Sequence, residues 1–179
     1  RWDDTRGGGY PYAAAWLDAP VYLTNALNGL PAVDFGAQGS TRCLQWNAEI
    51  AGVQTVFWVI GSQAGGGSLL GCKPGGTVNF KRGFDALRGG NAYVGRENGL
   101  IGINEATGEN LWVNGQLVTM SGAGLSGDYD MVAATIGGVR GFKASAFGRV
   151  DGQADMYQGG QRLCEVIVYT NALTTQQVK

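Results

Sequence analysis

The stretch that decides the fold is Gly159-Gly160-Gln161-Arg162-Leu163-Cys164-Glu165-Val166-Ile167-Val168-Tyr169. A glycine pair opens it, and β-branched and aromatic residues fill its second half, which predicts a strand. Strict alternation places Leu163, Ile167 and Tyr169 on one face together with Glu165, and the intervening residues on the other face. Both faces are then mostly apolar, so we expect a central strand in a sheet that is covered on both sides.

The residues that follow this strand predict a short C-terminal helix. Thr174 is a preferred N-cap residue, and Gln177 follows it at the spacing of a capping box. Since the chain ends soon after this strand, its neighbouring strands and the layers that cover it must come from the residues that precede it.

Glycines and turn signals divide the rest of the chain into short strands. The sequence has 32 glycines and 4 prolines in 179 residues, without a collagen-like period. Asn114-Gly115 lies between alternating apolar residues and predicts a hairpin with a type I′ turn. The second strongest strand is Gln54 to Gly61, and Ser68 to Gly71 is expected to return beside it as a hairpin. We therefore predict an all-β fold, an antiparallel two-sheet sandwich with the short C-terminal helix.

Composition restricts the function classes. The chain length fits a single domain over residues 1–179, and the chain contains no apolar run long enough for a membrane span. A net charge of −1 argues against nucleic acid as a partner. The sequence contains no histidine, which excludes histidine-dependent triads and histidine zinc sites within this chain. The first residue is Arg1, and the chain stops inside the predicted helix, so we expect a fragment of a longer polypeptide.

Five landmarks occur in a characteristic order. They are Trp2-x-Asp4, Asn28 to Phe35, Thr55 to Ile60, Leu111 to Gly115, and Gly159 to Tyr169 followed by Asn171-Ala172-Leu173. Together they resemble the concanavalin A-like, laminin-G-like (LamG-like) jelly-roll domains of large bacterial extracellular proteins. The resemblance covers nearly the whole chain. It implies a jelly roll, a location outside the cell or at its surface, and a role in binding or adhesion.

The acidic residues lack the arrangement that a catalytic site of this fold requires. Glycoside hydrolases of this fold use a closely spaced carboxylate pair, and retention requires the two carboxyl groups about 5–5.5 Å apart. The sequence has no Glu-x-Asp-x-x-Glu strand, and Glu165 stands alone in its strand. The resemblance also includes polysaccharide lyases, which use a histidine and a tyrosine as acid/base groups. This chain lacks histidine. We therefore expect a domain without catalytic activity.

Loop aspartates raise the alternative of a calcium site. Asp128 and Asp130 form one pair, and Asp151 and Asp155 form another. Calcium prefers carboxylate and carbonyl oxygens in loops, so either pair is a candidate for Ca²⁺. Aspartate is also a common turn residue through its own side-chain hydrogen bonds, and turn chemistry is the interpretation that we favour here.

Aromatic residues and one strand carboxylate are the candidates for ligand binding. Trp112 lies near a predicted hairpin tip and Tyr93 lies near a loop, so both are candidates for an exposed aromatic platform. Glu165 is expected either to face a ligand on an open side of the sheet or to be a structural carboxylate with a hydrogen-bonding partner, and we favour the structural role.

Three cysteines, Cys43, Cys72 and Cys164, lack the spacing of a zinc ribbon or a thioredoxin motif. Cys164 is expected to be a small buried hydrophobic residue. Sequence alone leaves open whether Cys43 and Cys72 form a disulfide.

The functional prediction is a non-catalytic extracellular binding or adhesion module, with a glycan or a cell-surface protein as its partner. The alternative is a structural module that self-associates in a surface matrix or filament. A glycan-processing enzyme is the third and least favoured hypothesis.

Overall fold

The structure, a computed structural model, describes residues 18–37, 40–62, 67–70, 80–84, 92–94, 110–118, 129–135, 142–147 and 161–179. The described residues form an all-β fold with antiparallel pairing throughout, as predicted. The strands are β1 Val21–Leu27, β2 Leu30–Asp34, β3 Leu44–Val53, β4 Thr55–Ser62, β5 Gly67–Leu70, β6 Phe80–Phe84, β7 Ala92–Val94, β8 Asn110–Val113, β9 Gln116–Val118, β10 Tyr129–Thr135, β11 Phe142–Phe147 and β12 Gln161–Tyr169. The helix α1 is Thr175–Val178.

The main element is a seven-stranded sheet in the order β1-β2-β12-β4-β10-β8-β9. Strands β11 and β3 form a two-stranded sheet, and β5, β6 and β7 form a three-stranded sheet. One buried cluster joins these layers, because Trp58 and Ile60 of the large sheet belong to the same core as Trp46 and Phe147 of the small one. The arrangement is sandwich-like, with the core on one side of the seven-stranded sheet.

Strand β12 is central, as its sequence predicts. It pairs with β4 along eight residue pairs and with β2 along two. Strand β4 in turn pairs with β10 along seven residue pairs. The middle of the sheet is therefore a regular three-strand platform made of β10, β4 and β12.

The two faces of β12 differ from the prediction because the strand contains a β-bulge. Leu163 lies opposite Ile60 and Glu165 lies opposite Val59, so Cys164 is an extra residue without a partner of its own. Leu163 therefore belongs to the core, while Glu165 and Ile167 lie on the other side and are exposed. Two predictions are therefore wrong at this strand. Its side chains do not alternate strictly between the two faces, and one of the faces is exposed instead of covered.

Beyond the bulge, two valines take the inward positions. Val166 lies opposite the buried Trp58, and Val166 and Val168 both pack against the core. The bulge thus exchanges the two faces of the strand between its first and second halves.

Within the described ranges, two Asn-Gly turns have the backbone that a type I′ hairpin requires. Asn114 and Gly115 have φ values of 50° and 77°, and Asn28 and Gly29 have values of 50° and 82°. The β8–β9 hairpin predicted at Asn114-Gly115 is confirmed. The predicted hairpin between β4 and β5 is wrong, because β10 and β12 occupy both edges of β4 and β5 pairs with β6 instead.

The C-terminal segment is held by side-chain hydrogen bonds. Thr174 caps α1, where its hydroxyl accepts from the Gln177 amide at 3.3 Å and the Gln177 side chain accepts from the Thr174 amide at 3.0 Å. The predicted capping box is therefore confirmed. The buried Thr55 hydroxyl donates to the Asn171 carbonyl at 2.8 Å and accepts from the Leu173 amide at 3.0 Å, which fixes the chain that leaves β12.

Candidate ligand-binding face

The side of the seven-stranded sheet that points away from the core is called the second face here. On β4 the core side chains are Trp58 and Ile60, so Phe57, Val59 and Gly61 belong to the second face. Residues directly opposite one another on neighbouring strands project to the same side, so the pairing registers extend this face onto β10 and β12.

One row of the second face brings four residues from distant parts of the sequence together. Gly61 lies opposite Arg162 on one side and Tyr129 on the other, and Arg162 lies opposite Asp34. Cys164 is close enough to affect the titration of Tyr129. We call Asp34, Gly61, Tyr129, Arg162 and Cys164 the tyrosine–arginine cluster.

Gly61 provides the space for the tyrosine ring. A Cβ atom added at Gly61 would lie 3.0 Å from Cε1, 3.2 Å from Cδ1 and 3.3 Å from Cζ of Tyr129. These contacts show that the ring passes directly over the glycine backbone. A glycine within an otherwise bulky strand commonly marks such a close approach.

An ion pair organises the polar side of the cluster. The Nε–H group of Arg162 donates to Oδ2 of Asp34 at 3.1 Å, and the Gly36 amide donates to Oδ1 at 2.6 Å. The Asp34 side chain is only 13% exposed, whereas that of Arg162 is 42% exposed. The Arg162 side chain also forms a hydrogen bond with the Tyr129 hydroxyl, so the guanidinium links the Asp34 carboxylate to the phenol.

Two acidic groups of the cluster, the Tyr129 phenol and the Cys164 thiol, have raised pKa values. Burial, followed by the charges of Cys164 and Asp34, raises the pKa of Tyr129, although the guanidinium of Arg162 acts in the opposite direction through its charge and a hydrogen bond. Burial and then the Glu165 carboxylate raise the pKa of the free Cys164 thiol. Near neutral pH the cluster therefore combines a neutral phenol and a neutral thiol with the Asp34–Arg162 ion pair.

An apolar patch adjoins the cluster. It consists of Phe57, Val59, Met131, Ile167 and Tyr169, all on the second face of β4, β10 and β12. Met131 and Ile167 are exposed by 52% and 43%, and the other three residues are half-buried. The rings of Phe57 and Tyr169 meet edge to face with a centroid distance of 6.0 Å, which fixes one end of the patch.

Among the predicted binding residues, Glu165 is exposed on the second face beside the cluster. Trp112 is 1% exposed, so its expected place in an exposed platform is wrong. It lies within β8 between Leu117 of β9 and Ala133 of β10, rather than at the tip of the hairpin. Tyr93 lies on β7 opposite Gly83.

Of the four aspartates considered for calcium, Asp130 is the one that the structure describes; Asp128, Asp151 and Asp155 lie outside the described residues. Asp130 is buried, and its Oδ1 accepts from the side-chain amide of Asn114 at 2.8 Å. This bond ties the β8–β9 turn to β10, which is a structural role. No group of three potential metal-ligating side chains forms within the described part of the chain.

The cysteine expectations have two outcomes. Cys164 is half-buried on the second face instead of being a buried core residue, because the bulge turns it away from the core. Cys43 is buried, and Cys72 lies outside the described residues, so their pairing stays a question for experiment.

Sequence reasoning did not identify Tyr129, Arg162 and Asp34 as a cluster. Their proximity arises from the order of strands, since β2, β12, β4 and β10 are neighbours in the sheet but not in the chain. One local signal was available, because Gly61 follows a run of bulky strand residues and thereby indicates a close approach.

No protein-family model, curated protein or solved structure matches this chain. Over the ranges that the structure describes, no helix has the length and hydropathy needed to cross a membrane.

Proposed function

We propose that this domain is a non-catalytic extracellular binding or adhesion module of the concanavalin A-like, LamG-like jelly-roll class, and that it binds a glycan on its second face. The observation that carries the proposal is the Tyr129 ring lying on Gly61 beside the exposed guanidinium of Arg162. A sugar ring stacks its C–H groups on an aromatic surface and hydrogen-bonds through its hydroxyl groups, and this cluster offers both kinds of contact.

The charges favour a neutral sugar. Among the residues that the structure describes around the cluster, Arg162 and the neighbouring Glu165 carry the exposed charges, and Asp34 pairs with Arg162. An anionic polymer would meet a local excess of negative charge. A neutral glycan can accept hydrogen bonds from the guanidinium and donate to the Glu165 carboxylate.

The test is a glycan-array screen of the purified domain, run with calcium and again with chelator. We expect binding to one class of neutral glycan. Replacement of Tyr129 by Ala should weaken it about tenfold or more, if stacking of a sugar on this ring is comparable with the stacking of a nucleobase on an aromatic side chain, which contributes about 1–3 kcal/mol. Tyr22→Ala is the matched control, because Tyr22 is also an exposed tyrosine but does not belong to the second face. It lies opposite Val33, which packs against the core, so the two residues are on the core side of the sheet.

Two results would overturn the glycan assignment. One is silence of the array in both conditions with folded protein. The other is glycan binding that survives Tyr129→Ala unchanged, which would move the site elsewhere. Binding that disappears only in chelator would instead assign the ligand to a metal-dependent loop.

A structural module that self-associates is the second candidate function. The apolar patch favours it, because Met131 and Ile167 expose large side chains on the same face of the sheet, on the two strands that flank β4.

A further inference from the structure

The described part of the chain contains two Asn-Gly turns with almost the same backbone, Asn28-Gly29 and Asn114-Gly115. Both asparagines have a φ of 50°, and the glycines have values of 82° and 77°. All four residues are exposed, and a Cβ atom added at either glycine would meet no atom within 4 Å. Both turns are therefore open to solvent, and a difference in their chemistry must come from the asparagine side chains and the strands around them.

An Asn-Gly pair can lose its side-chain amide without an enzyme. The backbone nitrogen of the glycine gives up its proton and attacks Cγ of the asparagine, and the side-chain nitrogen leaves as ammonia. The resulting succinimide ring takes up one water molecule and opens to aspartate or to isoaspartate. Glycine favours the attack because it has no side chain that shields the nitrogen. The turn leaves this nitrogen unpaired, because its hydrogen bond joins the first and fourth residues.

Asn114 is restrained from this reaction by strand β10. Its side-chain amide donates to Oδ1 of Asp130 at 2.8 Å, and its side-chain oxygen accepts from the Met131 amide at 2.9 Å. The backbone amide of Asn114 also donates to the Met131 carbonyl at 2.7 Å. Cγ can approach the nitrogen of Gly115 only after both side-chain bonds break, and the buried Asp130 carboxylate then loses one of its hydrogen bonds.

Asn28 lacks this restraint. Within the described ranges, its side chain forms no hydrogen bond with another residue. The turn is also anchored over a shorter length, because the register shifts between the closing pair Leu27–Leu30 and the next pair, Leu23–Ala32. In the β8–β9 hairpin three consecutive pairs follow the turn without a shift. Asn28 is therefore the more mobile of the two exposed asparagines.

We infer that Asn28 is a site of spontaneous deamidation, and that the bonds to β10 protect Asn114 from the same reaction. The inference depends neither on the glycan nor on self-association. Either product adds a negative charge at the tip of the β1–β2 hairpin. Isoaspartate also carries the main chain through its Cβ atom, which lengthens a turn that is two residues long, so the Leu27–Leu30 pair should be lost.

The test is incubation of the folded domain at mildly alkaline pH, which favours loss of the proton from the glycine nitrogen. A protease that cleaves after glutamate separates Asn28 from Asn114 by cutting at Glu49 and Glu109, and it also isolates Asn98-Gly99, which lies outside the described residues. Mass spectrometry with fragmentation then gives the rate at each site. We expect Asn28 to react about tenfold faster than Asn114 or more, because two side-chain bonds oppose the second reaction. An isoaspartyl carboxyl methyltransferase should label the Asn28 peptide.

Two further measurements test the cause of the difference. Asp130→Ala removes one of the bonds, so the rate at Asn114 should rise towards that at Asn28, which provides the internal control. Because Asp130 is buried and its replacement also affects stability, the unchanged chain is incubated in concentrated urea as well. Unfolding removes both restraints, and the two rates should become nearly equal, since Leu27 and Val113 are both aliphatic residues that precede an Asn-Gly pair.

Each outcome decides one part of the inference. Equal rates in the folded domain, or a faster reaction at Asn114, overturn it. A difference that persists in urea belongs to the neighbouring sequence and overturns protection by β10. An Asn28 that stays intact in the folded domain and reacts in urea shows that its own turn protects it, which overturns the modification site. None of these results changes the expected outcome of the glycan array.

Discussion

At the residue scale, Asn114 combines a turn conformation with a link to β10. Its φ of 50° lies in the left-handed region, which asparagine tolerates. Its side-chain amide donates to Asp130, and its side-chain carbonyl accepts from the Met131 amide at 2.9 Å. The same residue therefore starts the hairpin and supplies a partner for a buried carboxylate.

Replacement of Asn114 separates these two roles. Asn114→Gly keeps a residue that favours the left-handed backbone but removes both side-chain bonds, and we expect it to lower the free energy of unfolding by about 1–3 kcal/mol. Asn114→Ala should cost about 1–2 kcal/mol more, because alanine also strains the turn. Urea unfolding measures both variants, and a glycine variant as stable as the original chain would contradict the link to Asp130.

The Cys164 thiol gives a second prediction at this scale. Its pKa is raised by burial and by the Glu165 carboxylate, so the thiolate forms at higher pH than in an ordinary cysteine. We expect the rate of alkylation by iodoacetamide to rise with pH along a curve displaced to higher pH. Glu165→Gln should move that curve back towards lower pH, while Glu165→Asp keeps the charge and should move it less. An unchanged curve in the glutamine variant would exclude the carboxylate as a cause.

At the element scale, the bulge in β12 determines which side chains reach the second face. The alternating pattern predicted the position of the strand and its place in the middle of the sheet. It could not predict the exchange of faces, because a bulge is set by how Leu163 and Glu165 align with β4 and not by their own residue types. A local pattern therefore identifies a strand better than it identifies the faces of that strand.

Deletions test the bulge directly. Without Cys164, Leu163 still lies opposite Ile60 and Glu165 opposite Val59, so we expect the deletion to cost no more than about 2 kcal/mol of stability. Without Val166, the strand must either move Glu165 to the core position opposite Trp58 or shift all later pairs. That deletion should cost more than about 3 kcal/mol. Chemical denaturation with near-ultraviolet circular dichroism compares the two, and equal losses would refute the assigned register.

At the scale of the whole molecule, the sequence predicted the fold class better than the site. The all-β class, the β8–β9 hairpin and the capping box depend on neighbouring residues, and all three are confirmed. The cluster around Gly61 depends on which strands are neighbours in the sheet, which no local pattern encodes. Trp112 shows the same limit, because its position two residues before the turn does not reveal that its side chain is only 1% exposed.

Stability of the whole domain should decrease at alkaline pH. Tyr129 and Cys164 both have raised pKa values in the folded state, so the folded chain keeps their protons when the unfolded chain has begun to lose them. Their contribution is complete below the ordinary pKa values and disappears as pH rises through the folded ones. Urea midpoints should therefore fall above about pH 8.5–10, where unfolded cysteine and tyrosine titrate, and Tyr129→Phe with Cys164→Ser should fall less.

The short pairing between β2 and β12 has a mechanical consequence. Strands β1 and β12 run parallel with β2 between them, so tension that draws Val21 and Tyr169 apart loads the β2–β12 junction in shear. That junction has two residue pairs, the Phe35–Gln161 backbone bond and the Asp34–Arg162 ion pair, whereas β12 is held to β4 by eight pairs. Under a pulling force the β1–β2 hairpin should detach first and lengthen the chain while the central platform stays folded, so the hairpin would dissipate mechanical work before the rest of the sheet unfolds.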